Sequence, residues 1–121
     1  PGFVTKPGPT PQAAEQPYMS FGLMGGSMQA QGHVQFLINH LVFGMNVQEA
    51  MEAGRFRHMD STRVIVESIL PDSTQAALRA LGHRITVGRP DQFGGSQAII
   101  RLPRGYVAGS DPRKDGHAAG Y

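Results

Sequence analysis

The pair Gly25-Gly26 carries the strongest chemical suggestion in the chain, because the stretch Met24-Gly25-Gly26-Ser27-Met28-Gln29-Ala30-Gln31-Gly32-His33 hands over directly to an amphipathic run from Val34 to Met45. Glycines beside a helix start let backbone N–H groups approach a ligand closely, at the end of a macrodipole that favours negative charge. Such a turn can hold an oxyanion, whose charge builds on a carbonyl oxygen only as the transition state is reached. The plain alternative is a tight turn with no ligand.

Other reactive side chains point to less. His33, His40, His58, His83 and His117 are the imidazoles. His33 and His40 lie near one helix face, but no carboxylate accompanies them at i+3 or i+4 spacing, so a helix-surface or capping role is expected and no metal site. Without cysteine, disulfides, thiol catalysis and thiolate metal sites are excluded. Asp111-Pro112-Arg113-Lys114-Asp115-Gly116 has Asp at positions 1 and 5 and Gly at position 6 of a calcium loop. Arg113 puts positive charge where a ligand oxygen is needed, and Tyr121 is reached before the closing Glu, so calcium is not expected. Asp111 and Arg113 should instead fix loops by ion pairs. Arg55, Arg57 and Arg63 read as a solvated strand face or as partners of Glu49 and Glu52.

The elements that must position these residues follow from pattern. Phe3 to Lys6 and Tyr18 to Phe21 read as strands of a hairpin interrupted by the proline-rich Pro7-Gly8-Pro9-Thr10-Pro11. Val34, Leu37, Ile38, Leu41, Val42 and Met45 fall at i, i+3, i+4, i+7, i+8 and i+11, a helical stripe expected to face the core and to stop at Gly44. Asn46 and Glu49 have capping-box spacing, so a second helix should occupy about Val47 to Ala53 and end at Gly54. Arg63 to Glu67 reads as a strand packed on both faces. Pro71 opens a third helix that buries Thr74, Ala77, Leu78 and Leu81 and ends at Gly82. Arg84 to Val87 reads as a strand, Gly88 to Gly95 as a loop, and Ala98 to Leu102 with Tyr106 to Ala108 as a hairpin. Phe36, Phe43 and Phe56 are assigned to the core. The order is α+β, with helices on one side of a mainly antiparallel sheet.

At 121 residues the chain, 1–121, is one domain's worth, and its 16 glycines and 9 prolines imply many turns. A formal charge of +2, with acidic residues interleaved among eleven Lys and Arg, offers no basic stripe for nucleic acid. No apolar run approaches the roughly 20 residues that span a bilayer, and no signal-peptide series is present. Periplasmic and cytoplasmic locations both remain open.

Read together, Pro1-Gly2-Phe3-Val4-Thr5-Lys6, Met19-Ser20-Phe21-Gly22-Leu23-Met24-Gly25-Gly26, Phe43-Gly44-Met45-Asn46-Val47-Gln48-Glu49-Ala50 and Gly109-Ser110-Asp111-Pro112-Arg113-Lys114-Asp115-Gly116 resemble the C-terminal part of the small subunit of the gamma-glutamyltranspeptidase family. The likeness runs in order along nearly the whole chain; Pro7 to Gln16 stands outside it as an expanded hairpin loop. It implies half of an αββα sandwich, the N-terminal-nucleophile hydrolase architecture. It also implies that Gly25 and Gly26 supply oxyanion-hole N–H donors, with Gly26 touching the substrate, and that no metal or organic cofactor takes part.

In that family the nucleophile is an N-terminal Thr exposed by self-cleavage, whose α-amino group can serve as base. Thr5, Thr10, Thr62, Thr74 and Thr86 are internal, so the resemblance places the nucleophile and the glutamate-binding Ser pair upstream of Pro1. The implied partners are the large subunit, the N-terminal part of the small subunit and a gamma-glutamyl small molecule such as glutathione. The isolated chain is expected to be inactive and prone to self-association. Met24 stands where better-known transpeptidases carry Pro. That departure keeps open a cephalosporin- or glutaryl-acylase-like member, and a non-catalytic binding or scaffold domain is the rival from another class.

Overall fold

Alternation of apolar and polar residues builds the larger sheet of the computed structural model, which describes residues 1–120; Tyr121 lies outside the described residues. In chain order the elements are β1 (Gly2–Lys6), β2 (Gln16–Met24), α1 (Met28–Leu41), α2 (Val47–Glu52), β3 (Phe56–Asp60), β4 (Arg63–Val66), α3 (Asp72–Ala80), β5 (Arg84–Val87), a 3-10 turn (Pro90–Phe93), β6 (Gly95–Arg101) and β7 (Tyr106–Ser110). Strands β1-β2-β6-β7 form a four-stranded antiparallel sheet. Met19, Phe21 and Leu23 of β2 and Ala98 and Ile100 of β6 point to its buried face, as period-two alternation requires.

Helices α1 and α2 cover that face. Phe36, Val47, Ala50 and Met51 meet Met19, Phe21, Ala98 and Ile100 in one apolar cluster. The other face carries the cross-strand row Phe3, Ser20, Ile99 and Ala108, of which Phe3 and Ile99 are 62% and 51% exposed. Asn46 opens α2 with a full capping box: its carboxamide accepts from the Gln48 and Glu49 amides, and the Glu49 carboxylate accepts from the Asn46 N–H.

The α+β class is as expected, and a smaller sheet, in the order β3-β4-β5, is added to the larger antiparallel one. β3 and β4 are antiparallel about a tight turn, whereas β4 and β5 are parallel across the α3 crossover. β3 is absent from the sequence reading because Phe56-Arg57-His58-Met59-Asp60 has no alternation of apolar and polar residues. Its open edge is satisfied by side chains instead. The Gln35 carboxamide donates to the Phe56 carbonyl and accepts from the Phe56 N–H, at 2.9 and 3.0 Å. Gln31 does the same for His58, at 3.0 and 2.7 Å. Two glutamines one helical turn apart thus stand in for a neighbouring strand.

Helix α1 also differs from expectation in extent and in face. It begins at Met28 and ends at Leu41, where the apolar stripe suggested Val34 to Met45. Met28, Gly32 and Phe36 form its buried row, and Val34, Ile38, Leu41 and Val42 lie exposed. The reason is close approach: a Cβ on Gly32 would sit 2.4 Å from Leu23 Cδ1, so the glycine lets the helix settle onto β2. Phe36 is core, but Phe43 and Phe56 are exposed, and α3 buries Gln75 while leaving Thr74, Ala77 and Leu81 outside. Among the described residues no helix is long and apolar enough to cross a membrane.

Candidate active site

Strand β2 delivers the chain to the glycine turn and α1 carries it away. The last β2–β6 pair is Met24 with Gly95, after which Gly25 takes φ 132° and Gly26 φ 58°, both in the region that favours glycine. Their carbonyls are turned into the helix, accepting from the Met28 and Gln29 N–H groups at 3.1 and 3.0 Å. Their own N–H groups donate to no backbone carbonyl among the described turns, loops and caps, and both residues are exposed. The first turn of α1 contains no acidic side chain, so no carboxylate of its own offsets the positive end of its dipole.

The turn is braced from behind. Gly94, at φ 71°, follows the fully buried Phe93, and a Cβ on it would lie 2.1 Å from the Met24 carbonyl. A Cβ on Gly25 would meet Gly94 Cα at 3.0 Å. Backbone therefore packs on backbone at this point. From β3, the Arg57 guanidinium donates to Ser27 Oγ at 2.7 Å and to the Gln92 carbonyl at 3.2 Å.

A buried charge cluster holds the same end of the molecule together. Arg55, 2% exposed, donates to Asp111 Oδ2 at 2.5 Å, to Ser96 Oγ and to the carbonyls of Phe93 and Met51. Arg113 pairs with Asp111 and Glu67 and donates to the Met51 and Ala53 carbonyls at the end of α2. Asp111, 1% exposed, also accepts from the Ser96 and Arg113 N–H groups. Burial works against its carboxylate, but the Arg113 amide and the Arg55 and Arg113 charges outweigh it and hold the Asp111 carboxyl below the usual range. The expectation of ion pairs for Asp111 and Arg113 agrees with this arrangement.

The arginine expectation needs correcting. Arg55 is core rather than a solvated strand face, Arg57 grips Ser27, and Arg63 pairs with Asp60; none of the three pairs with Glu49 or Glu52 among the described ion pairs. A buried arginine is invisible to composition because its partner stands 56 residues away.

The helix histidines are structural. His33 Nε2 accepts from the Leu23 N–H at 3.0 Å, capping β2 where β1 no longer pairs with it. Burial holds the His33 imidazole below its ordinary value. His40 bridges Tyr18 Oη and the Met45 carbonyl, each at 2.8 Å. Of the internal threonines, Thr5 donates to Glu15 on the exposed hairpin and Thr62 accepts from Arg84.

The α+β arrangement, with an antiparallel sheet, helices on one of its faces and a glycine turn opening a helix, is that of the N-terminal-nucleophile hydrolase class, whose solved structures superpose on the chain. A cephalosporin acylase from Bacillus halodurans matches with TM-score 0.83 at 41% identity, over 88% of this chain and 20% of that one. A gamma-glutamyltranspeptidase from Pseudomonas nitroreducens matches with TM-score 0.84 over all of this chain and 60% of that one; at 24% identity it speaks for the fold.

The chain belongs to the gamma-glutamyltranspeptidase family, whose sequence model matches residues 1–121. It is 34% identical to a glutathione hydrolase proenzyme of Escherichia coli over its full length, and 32% identical over 85% of its length to an oxamate amidohydrolase proenzyme of Klebsiella pneumoniae. It spans about a fifth of each, 20% and 21%.

Proposed function

We propose that this chain is the C-terminal portion of the small subunit of a gamma-glutamyltransferase or hydrolase, and that Gly25 and Gly26 supply the oxyanion-hole amides, with Gly26 at the substrate. The observation that carries the reading is the pair of N–H groups on two exposed glycines, free of backbone carbonyl partners among the described turns, loops and caps, at an α1 N-terminus whose first turn holds no acidic side chain. A gamma-glutamyl carbonyl attacked by an upstream Thr would place its developing alkoxide against these donors, each worth about 3 kcal/mol in the transition state. The isolated chain holds no N-terminal Thr and is inactive on this reading.

The remainder of the parent, large subunit and N-terminal part of the small subunit, covers the outer sheet face where Phe3, Ile99 and Tyr106 are exposed. Left uncovered, that face drives self-association. The experiment is an assay of the full-length parent with a gamma-glutamyl anilide and a glutaryl amide, together with a crystal structure of a tetrahedral adduct. The reading requires turnover of the anilide and an adduct oxygen at about 2.7–3.1 Å from the Gly25 and Gly26 nitrogens.

A second enzymatic reading is favoured by the 41% identity to a cephalosporin acylase and by Met24 before the glycine pair. Turnover of the glutaryl amide alone would establish it in place of the first. Absence of turnover on both, with no adduct formed, would leave a binding or scaffold role.

A further inference from the structure

We infer that Arg57 is a positioning residue for acyl transfer, a brace that sets the aim of the Gly25 and Gly26 amides through Ser27; the inference rests on the oxyanion reading above. One face of α1 presents Ser27, Gln31 and Gln35 at i, i+4 and i+8, and each engages β3. Gln31 and Gln35 bind the β3 backbone at His58 and Phe56, whereas Ser27 is held by a side chain, the Arg57 guanidinium, at 2.7 Å. This polar row fixes the helix along its axis and ends at the residue next to Gly26.

The arrangement gives up two local stabilisations. Ser27 is the N-cap residue of α1, yet with its backbone at φ −65°, ψ −11° instead of extended its side chain makes no capping hydrogen bond, and its hydroxyl accepts from Arg57. A cation beside a helix N-terminus also opposes the dipole, and Arg57 takes part in none of the described ion pairs. Both choices make sense if the turn must present positive potential and a fixed geometry to an anionic intermediate. The second arm of the fork reaches the Gln92 carbonyl, two residues before Gly94, whose Cα packs against Gly25. A planar guanidinium can therefore hold both flanks of the glycine turn at once, which a point-charge ammonium cannot.

The test uses the processed full-length parent. Arg57→Ala, Arg57→Lys and Ser27→Ala should each lower kcat roughly tenfold or more with KM little changed, and should weaken a tetrahedral-adduct inhibitor in parallel while sparing a ground-state gamma-glutamyl analogue. Ser27→Thr keeps the hydroxyl and should restore kcat. The double variant Arg57→Ala/Ser27→Ala should lose no more than Arg57→Ala alone, since one contact is removed. Ser27 is exposed, so its variants keep the test available if Arg57→Ala does not fold. Unchanged kcat in Ser27→Ala, a loss confined to KM, or losses that multiply in the double variant would overturn the brace. An adduct oxygen found away from the Gly25 and Gly26 amides would instead remove the reading beneath it; amides in place with neutral variants would remove the brace alone.

Discussion

Two regions at the same end of the molecule use arginine in opposite ways. Around Asp111, charges are buried and paired: Arg55, Arg113, Glu67 and Asp111 satisfy one another and tie β6, the 3-10 turn, the end of α2 and the C-terminal segment into one block. Around Gly25, polar groups are exposed, the nearest guanidinium has no described carboxylate, and the backbone donors are not spent on backbone carbonyls. Arg55 joins the two by holding the Phe93 carbonyl, and Phe93 precedes the Gly94 that buttresses Gly25. Charged side chains thus satisfy one another around Asp111, whereas around Gly25 backbone donors are left without backbone partners.

That contrast can be broken at several points. The largest effect on stability should come from Asp111→Ala, which strands two buried guanidinium groups; a loss of about 3–5 kcal/mol is expected in denaturant unfolding. A loss below about 1 kcal/mol would mean that the cluster is not the clamp. Next is Gly94→Ala, which places a methyl against the Met24 carbonyl at a φ of 71°. It should cost about 1–3 kcal/mol and also displace Gly25, so kcat of the full-length parent should fall together with stability. A normal kcat in a destabilised Gly94→Ala protein would separate the buttress from the turn.

Asn46→Ala removes the α2 cap that meets neither region and should cost about 1 kcal/mol with no change in kcat. The smallest effect concerns pH. The His33 imidazole is held low, so the folded state prefers it neutral; its contribution is present above the ordinary imidazole pKa and is lost as pH falls through the folded value. Asp111 is also held low, and its contribution goes at more acid pH, as pH falls through its own folded value. The melting temperature of the native chain should therefore drop in two steps on acidification, and His33→Gln should flatten the first one only.

Patterns within a few residues were legible directly. The Asn46–Glu49 capping box, the strand cores of β1, β2, β4 and β5, and a helix entered from Gly25-Gly26 all follow from short-range chemistry. The resemblance implied the fold family and, through it, the chemistry proposed for the turn. What stayed hidden depended on neighbours remote in sequence: β3, whose hydrogen-bond partners are the carboxamides of Gln31 and Gln35; the core position of Arg55; and the Arg57–Ser27 contact. Helical spacing identified a stripe on α1 but could not say which side would be covered, since Gly32 and Phe36 offered a second side.

By itself the sequence determined local conformation: where glycine permits the turn, where Asn46 starts a helix, and which residues of a strand share a face. Only the tertiary structure decided which face of α1 is buried, which arginines are core and what steadies the glycine turn. The physical reason is that propensity and capping act over one helical turn, whereas burial and charge pairing depend on which surfaces can approach closely. Here the absence of a side chain at Gly32 and a carboxylate at Asp111 settled those approaches.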